Sequence, residues 1–519
     1  MNKLNPLRHR DTLRADFTAS LVVFLVALPL CVGVAVASGV PAELGLITGI
    51  VGGLVAGFLP GSSLQVSGPA AGLTVLVYEA VDTYGLSALG VLVLLAGLLQ
   101  LLMGALKLGR WFRAISVSVV QGMLAGIGLV LIAGQVYALA DQPAPSTGVE
   151  KLTGLPDLVV DTLSSGTALT AAGIGAATVL LLVLWPKWRA GARVLPAPLA
   201  AVAAATAVTV AFDLSIARVE VTGLVEAVQP PGADDFGALL STGMIGTVLA
   251  FTLIASAESL FSAAAVDGMH DGERTDYDKE LRAQGAGNAV CGLLGALPMT
   301  AVIVRSSANV AAGARTKASR VLHGVWLLVF AAAFPAALEI IPLASLAGVL
   351  VHAGWKLMPV KDIVPLWRDH RAEAVVLAVT AVSIVVTNMF EGVLIGLLLS
   401  VVKTAWEISH VHVEAEDPGE DLPVRVHVRG NATFLRLPRL EDELAELPTD
   451  RTVELQLSGL RHMDHASGLA LSTWEERHNR MAARLSGERR ARLDAQVQEA
   501  SSYARENRES YAQEGQSPR

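Results

Sequence analysis

Long stretches without a single charged residue constrain this chain more than any other feature of its sequence. An α-helix needs about 20 apolar residues to cross the hydrocarbon core of a bilayer. Several uncharged runs reach that length, among them Phe17–Ala42, Leu44–Tyr78, Thr83–Leu106, Ala114–Ala140, Phe236–Ala257 and Ala283–Val304. Only 17% of the residues are charged, whereas soluble globular proteins have about 25%. The sequence therefore predicts a polytopic helical membrane protein that lies in a lipid bilayer.

Composition also argues against several functional classes. The net charge is −8, and no basic patch with interleaved aromatic residues occurs, so we expect no nucleic-acid partner. The two cysteines, Cys31 and Cys291, both lie in apolar segments, which argues against a disulfide framework or a zinc site. We expect neither a metal ion nor a cofactor.

Lysine and arginine cluster at intervals along the chain, and short loops rich in these residues stay in the cytoplasm. Two connections, 141–165 and 213–235, are acidic instead and are predicted to lie outside. Successive basic clusters must be separated by an even number of spans. Four spans fit the first interval and two fit each of the five later ones, which predicts fourteen spans in the inner membrane with both termini cytoplasmic. The basic clusters are Lys3 to Arg14, Lys107 to Arg113, Lys187 to Arg193, Arg274 to Arg282, Arg315 to Arg320, Lys356 to Arg371, and Lys403.

Fourteen spans divide into two sets of seven. Because seven is odd, the second set crosses the membrane with a topology opposite to that of the first, which makes an inverted repeat. Small and hydroxyl residues interrupt the third span of each half, in "LQVSGPAAGLTVLV" at 64–77 and "LPMTAVIVRSSANV" at 297–310. A matched pair of interrupted spans indicates the midplane substrate site of a transporter with inverted repeats. We expect two half-helices whose N-termini meet there, because their free N–H groups and positive dipole ends bind an anion.

Two ionisable side chains are predicted to lie deep in the membrane. Glu258 is flanked by apolar residues on the eighth span, and Arg305 lies two turns into the tenth. Ionisable groups are costly within a bilayer and usually serve a function there. Glu258 could instead bond a backbone amide, and Arg305 could extend to the cytoplasmic surface. Both alternatives stay open from the sequence.

Several longer motifs, in this order, resemble the SulP family of anion transporters, bacterial relatives of the mammalian sulfate, chloride and bicarbonate exchangers. The motifs are "LVVFLVALPLCVGVAVASGVPAELGLITGIVGG", "GSSLQVSGPAAGLTVLV", "IASAESLFSAAAVDGM", "ELRAQGAGN" and "LPMTAVIVRSSANVAAGART". The resemblance covers roughly residues 15–480.

The resemblance implies a uracil-permease-like fold of seven plus seven helices. Spans 1–4 and 8–11 would form a transport core, and spans 5–7 and 12–14 a gate. It also implies that Arg305 is the positive residue beside the anion and that Glu258 is the carboxylate linked to cation coupling. The other implied pocket residues are Leu30 and Val34 on the first span, Ser67, Gly68, Pro69, Ala70 and Ala71 on the third, and Thr300, Ala301, Val302, Ile303 and Val304 on the tenth.

Two departures from the family pattern bear on mechanism. The pattern of sodium-coupled bicarbonate members has an Asp one turn after the carboxylate, and this chain has Ser262 there. We therefore expect the coupling cation to be a proton rather than sodium. The implied pocket positions include no aromatic residue, which leaves the size of the substrate open.

The chain changes character after Lys403. The stretches "HVHVEAED", "VRVHVRG", "TFLRL" and "VELQLSGL" alternate with the period of a half-buried strand, and "ASGLALSTWEERHNRMAARL" has the pattern of an amphipathic helix. This region resembles a STAS domain that lacks a further strand. We predict a cytoplasmic segment at 1–14, a transmembrane domain at 15–408, a truncated STAS-like α/β domain at 409–483, and a charged helical or disordered tail at 484–519.

The sequence favours secondary transport of a small inorganic anion by a homodimer. Bicarbonate is favoured on overall likeness, with sulfate and chloride as alternatives, and either symport or exchange would fit. A dicarboxylate or nucleobase permease of the same fold is the alternative function. A nucleobase carrier would be expected to have a second carboxylate on the tenth span, and residues 298–314 have none. No nucleophile–base pair, Gly-rich phosphate loop or metal cluster indicates an enzyme.

Overall fold

The computed structural model of the protein describes residues 6–110, 116–188, 195–221, 223–232, 242–419 and 422–514. The chain forms two compact units, Met1–Ser400 and Val401–Arg519. Several residues of the loops and uncharged runs named above lie outside the described residues, namely Lys3, Arg113, Ala114, Arg189, Arg193, Asp234, Asp235 and the beginning of the run Phe236–Ala257.

The first half of the larger unit contains the counterparts of spans 1–7. In chain order its elements are α1 (Pro6–Ala37), α2 (Ala42–Val51) with a π-helical extension at Gly52–Ala56, β1 (Ser67–Pro69), α3 (Thr74–Tyr84), α4 (Leu86–Ala105), α5 (Val117–Leu139), α6 (Gly148–Thr153), α7 (Leu155–Ser164), α8 (Gly166–Leu184) and α9 (Ala197–Ala211). The strand β1 and α3 together form span 3. The short helices α6 and α7 connect spans 5 and 6.

The second half contains the counterparts of spans 8–14. Its elements are α10 (Thr242–Asp267), α11 (Tyr277–Leu293), β2 (Met299–Ala301), α12 (Ile303–Ala311), α13 (Ala318–Ala333), α14 (Ala336–Glu339), α15 (Leu343–Leu357), α16 (Val360–Asp369), α17 (Arg371–Val386) and α18 (Met389–Ile408). The strand β2 and α12 together form span 10, as β1 and α3 form span 3. The short helices α14 and α16 connect longer ones.

All fourteen predicted segments therefore have a counterpart, and the predicted polytopic helical fold of two sets of seven is confirmed. Among the described residues, seven helices are long and apolar enough to cross a membrane unaided. Spans 3 and 10 contain shorter helices because the chain enters each of them as a strand.

Small residues bring the helices of the larger unit close together. A Cβ at Gly97 of α4 would overlap the Ala289 backbone of α11, and a Cβ at Gly122 of α5 would lie 2.5 Å from the Leu377 carbonyl oxygen of α17. Lipid tails are as apolar as leucine, so helices in a bilayer associate mainly through such close packing. Glycine at these positions permits the contact.

The smaller unit is an α/β fold built on a three-stranded sheet. Its elements are β3 (Val411–Glu416), β4 (Val424–Ala432), α19 (Leu437–Ala445), β5 (Val453–Met463) and α20 (His465–Glu514). The central strand β4 runs antiparallel to β3 and parallel to β5. Val424, Val426 and Val428 alternate along β4 and are buried, as the period-two pattern predicts.

The predicted strand "TFLRL" is wrong, because Phe434–Arg436 forms a 3₁₀ turn that leads into α19. The Phe434 N–H donates to the Asp464 carboxylate at 2.6 Å instead of to a neighbouring strand. The Ser467 N–H donates to the same carboxylate at 2.8 Å. Bonds from these two backbone N–H groups hold the pKa of Asp464 below its usual range.

Candidate functional site

A two-stranded antiparallel ribbon joins the interrupted third and tenth spans. Its residue pairs are Ser67 with Ala301, Gly68 with Thr300, and Pro69 with Met299. All six residues are buried. A membrane interior offers no water to unpaired backbone groups, so pairing between the strands stabilises chain that is not helical. The sequence predicted two broken helices, and the structure shows that a strand precedes each half-helix.

Each strand leads directly into a half-helix. After β1, a 3₁₀ turn at Ala71–Leu73 continues into α3, and after β2 the helix α12 begins at Ile303. No side chain caps either N-terminus. The first backbone N–H groups of each half-helix therefore stay available to a ligand, and the helix dipoles place partial positive charge at the same ends.

Hydrogen bonds fasten the start of α12 to the chain before β1. The Val302 N–H donates to the Val66 carbonyl oxygen at 2.9 Å, and the Val66 N–H donates to Ser306 Oγ at 2.9 Å. Asn309 Nδ2 donates to the Leu64 carbonyl oxygen at 2.9 Å. The third and tenth spans are thereby held as one assembly.

Asn288 of α11 supports the outer edge of β2. Its Nδ2 donates to the Met299 carbonyl oxygen at 3.0 Å, and its Oδ1 accepts from the Met299 N–H at 2.7 Å. The same Nδ2 donates to Gln100 Oε1 at 2.8 Å, and Gln100 Nε2 donates to Ser256 Oγ at 3.1 Å. The Asn288 amide thus bonds β2 as a neighbouring strand would.

Gln284, one turn before Asn288, supports β1. Its Nε2 donates to Ser67 Oγ and to Glu280 Oε1, both at 2.7 Å. Glu280 Oε2 accepts the Ser62 N–H at 2.8 Å. The Ser67 hydroxyl therefore accepts a hydrogen bond that connects β1 to α11.

A cavity of about 140 Å³ lies at the N-termini of both half-helices. The predicted pocket residues that line it are Leu30, Val34, Pro69, Ala70, Ala71, Val302, Ile303, Val304 and Arg305, together with Glu258 and Ser262. The remaining predicted residues, Ser67, Gly68, Thr300 and Ala301, lie in the ribbon and are buried. The structure thus brings most of the predicted residues to the wall of one cavity. The other four belong to the ribbon that supports this wall.

Arg305 is fully buried beside the ribbon. Its Nη2 donates to the Pro69 carbonyl oxygen at 3.2 Å, and its Nε and Nη1 have no hydrogen-bond partner among the described residues. A Cβ at Gly68 would overlap Nη1, so the glycine provides the space for the guanidinium. The side chain lies in the first turn of α12 and not two turns into a helix, because β2 occupies the beginning of the span. It does not extend to the surface.

Glu258 of α10 also lines the cavity. Its Oε2 is buried without a hydrogen-bond partner among the described residues, and its carboxylate interacts with the Thr300 side chain. A Cβ at Gly72 would overlap the other carboxylate oxygen. Ser262, one turn later, donates to the Ala301 carbonyl oxygen at 3.0 Å. An incompletely paired guanidinium and an incompletely paired carboxylate therefore border the same small cavity.

Among the lining residues that were not predicted from the sequence, three have an aromatic or a basic side chain. Phe261 of α10 lines the cavity and adds an aromatic side chain to the positions that the family resemblance implies. Its position three residues after Glu258 puts both side chains on one helix face. His352 and Lys356 of α15 line the cavity as well. Lys356 is exposed and belongs to a basic cluster, so the cavity extends towards the side of the basic loops.

Asn288→Leu is expected to lower the free energy of unfolding by about 2–4 kcal/mol, because the Met299 N–H and C=O would both lose a partner in a buried environment. Denaturant unfolding of the purified protein in detergent measures this loss. Asn388→Leu is the matched control, because its side chain is half-buried and accepts one bond, from the Glu391 N–H at the start of α18. Equal stability of the wild type and Asn288→Leu would contradict the supporting role.

Comparison with known proteins agrees with this architecture. The Sulfate permease family matches residues 13–380 of the chain. The putative sulfate transporter YvdB of Bacillus subtilis is 28% identical over 485 residues, which cover 91% of this chain and 90% of that protein. The bicarbonate transporter BicA of Picosynechococcus sp. is 24% identical over 468 residues, which cover 87% of this chain and 79% of that protein.

A solved structure shows the same fold. The murine Solute Carrier 26 family member A9 anion transporter in the inward-facing state matches with a TM-score of 0.76, over 91% of this chain and 84% of that chain, at 15% sequence identity. The resemblance to SulP transporters noted in the sequence is confirmed. The chain belongs to the Sulfate permease family, whose members are anion transporters and not enzymes.

Proposed function

We propose that the protein is a secondary active transporter of a small inorganic anion, with bicarbonate as the favoured substrate and sulfate or chloride as alternatives. The anion binds between the N-termini of α3 and α12 and reaches either side of the membrane by alternating access. The protein would act as a homodimer in the inner membrane with both termini in the cytoplasm. Relatives named for sulfate and for bicarbonate support an inorganic anion.

The observation that supports this proposal most is the set of free donors at the cavity. Arg305 keeps Nε and Nη1 without a partner among the described residues, next to two half-helix N-termini that no side chain caps. Donors of this kind, without a protein acceptor, are complementary to an anion. The guanidinium supplies one positive charge, which balances a monovalent anion such as bicarbonate. Lys356, the other Lys or Arg of the lining, is exposed, and a divalent anion would therefore be less well balanced.

Alternating access is supported by the origin of the lining residues. The residues before α3 and the helices α10 and α12 belong to the proposed core, whereas α5 and α15 belong to the proposed gate, and both groups contribute to the lining. The ribbon and Asn288 fasten the core helices to one another. A core that moves as a unit against the gate would transfer the anion without loosening its donors.

We also propose that 15–408 is the transport domain and that 409–483 is a STAS-like domain without its further strand. The charged tail 484–519 would follow it. The helix α20 continues from His465 to Glu514, so it extends through most of the tail.

Proton coupling is proposed from the charge balance of the cavity. When Glu258 is ionised, its charge offsets that of Arg305, and a bound anion is repelled. When Glu258 takes up a proton, the guanidinium charge is left for the anion, so proton and anion bind together. A sodium ion would need further oxygen ligands, and the position one turn after Glu258 offers the neutral hydroxyl of Ser262 and not a second carboxylate.

Ala71→Phe should abolish uptake of radiolabelled bicarbonate, sulfate and chloride into proteoliposomes, because Ala71 is half-buried and lines the cavity. Ser67 and Ala301 are less suitable for this test, since both are buried in the ribbon. Ala203→Phe on the exposed face of α9 is the matched control and should transport normally. Normal uptake by Ala71→Phe would contradict the proposed anion site, and a wild type that takes up no inorganic anion would overturn the function.

Glu258→Gln should bind and exchange the anion, because the amide resembles the protonated carboxyl group, but an inward proton gradient should no longer drive its accumulation. Concentrative uptake into proteoliposomes under an inward proton gradient, and separately under an inward sodium gradient, measures this difference. The wild type should respond to the proton gradient only. Accumulation that survives in Glu258→Gln would rule out its coupling role, and accumulation driven by sodium alone would show that Ser262 is compatible with a sodium site.

A further inference from the structure

A second, smaller cavity lies next to the central one along the same half-helix. Ala71 and Gly72, at the start of the half-helix, line the central cavity. Thr74, Val75 and Tyr78, further along the same half-helix, line a cavity of about 40 Å³, which has space for a few water molecules or one small anion. Its other walls come from α5, the region before α6, and Lys151 of α6. The two cavities follow one another towards the side of the acidic loops.

Lys151 is buried although it belongs to the acidic connection between spans 5 and 6; its exposed fraction is 5%. Its Nζ donates to the Ser146 carbonyl oxygen at 3.1 Å and lies 5.3 Å from the centre of the Tyr78 ring. The hydroxyl of Tyr137 on α5 donates to the Lys151 carbonyl oxygen at 3.2 Å. This bond holds the Lys151 backbone against α5. An ammonium group has three donors, and a buried charge is costly unless it is paired.

Thr74 is the second unusual group in this cavity. It is buried, and its Oγ1 has no hydrogen-bond partner among the described residues. Other buried threonines of the spans, such as Thr209 and Thr252, donate to the carbonyl oxygen four residues earlier, at 2.9 and 2.7 Å. Thr74 is the first residue of α3, and its hydroxyl remains free for a ligand.

We infer that Lys151 and Thr74 form an outer anion site, through which the substrate passes between the central cavity and the side of the acidic loops. The inference rests on the proposed anion transport. Tyr78 and Thr74 belong to the core, and Lys151 belongs to the gate. Lys151 Nζ lies over the Tyr78 ring, and Lys151 and Thr74 line the same small cavity, so core and gate meet on this side. Separation of α3 from α5 and α6 would expose the ammonium and the hydroxyl to a small monovalent inorganic anion.

The charges around Lys151 are suited to transient binding. Glu79 of α3 and Glu150 of α6 act on it electrostatically, and Glu391 of α18 acts on Glu79. These carboxylates offset part of the ammonium charge. An anion would therefore be attracted to the site but not retained there, as a step on a transport pathway requires.

The test compares the two sides of the membrane. Uptake of radiolabelled bicarbonate and chloride into intact cells reports binding from outside, and uptake into inside-out vesicles reports binding from inside. Lys151→Met should raise the apparent KM for the side of the acidic loops about five-fold, the loss expected for one charged contact. The KM for the other side should change less than about two-fold, and Lys151→Arg should restore the lost affinity.

Thr74→Val should raise the same KM in the same direction, and Thr209→Val, which removes a hydroxyl from α9 away from both cavities, should leave both KM values unchanged. Equal KM changes on both sides, no change in either, or a lower maximal rate alone would overturn the outer site and leave Lys151 as a structural contact. If the wild type transports no anion, the proposed function has failed. The outer site is then judged by the thermal stability of purified Ala71→Phe, which chloride should increase. Adding Lys151→Met should remove this stabilisation by chloride, and stabilisation that persists would refute the outer site.

Discussion

The antiparallel pairing of β1 with β2 is the interaction on which the rest of the transport unit depends. Two interrupted spans, each with unpaired backbone groups, could not exist separately in the interior of a bilayer. Because Ser67–Pro69 of β1 pairs with Met299–Ala301 of β2, each strand provides hydrogen-bond partners for the backbone of the other. The pairing also determines where α3 and α12 begin, and hence where their free N–H groups lie. Asn288 and Gln284 complete the edges of the ribbon from α11.

Arg305 converts this scaffold into a charged site. Its position follows from the ribbon, because α12 begins immediately after β2, and from Gly68, which leaves space for the guanidinium. Burial of a guanidinium with two nitrogens that lack a hydrogen-bond partner among the described residues is unfavourable by itself. An anion in the cavity would reduce that cost. Glu258 would change the net charge of the cavity when it binds or releases a proton. The cavity and the proposed outer site are thus successive positions along the half-helix that begins at Ala71, and Glu258 lines the cavity from α10.

Much of this architecture follows from local patterns in the sequence. The fourteen segments could be counted because lysine and arginine mark one side of the membrane, and the broken spans could be found because Ser67, Gly68 and Pro69 interrupt an apolar run. A three-residue strand has no periodicity, and its partner is over 200 residues away, so the ribbon could not be predicted. For the same reason the sequence did not show that Arg305 lies in the first turn of a half-helix. Phe261 shares a face with Glu258 and could have been found from helical spacing, whereas the contact of Lys151 with Tyr78 depends on packing between distant helices.

The proposed anion site is tested most directly by anomalous scattering from crystals grown with bromide or selenate, which locates the bound anion. We expect an anomalous peak between Ala71 and Ile303, within hydrogen-bonding distance of the Arg305 guanidinium. A peak confined to the exposed edge of the cavity near Lys356, with none at the two half-helix N-termini, would contradict the proposed anion site.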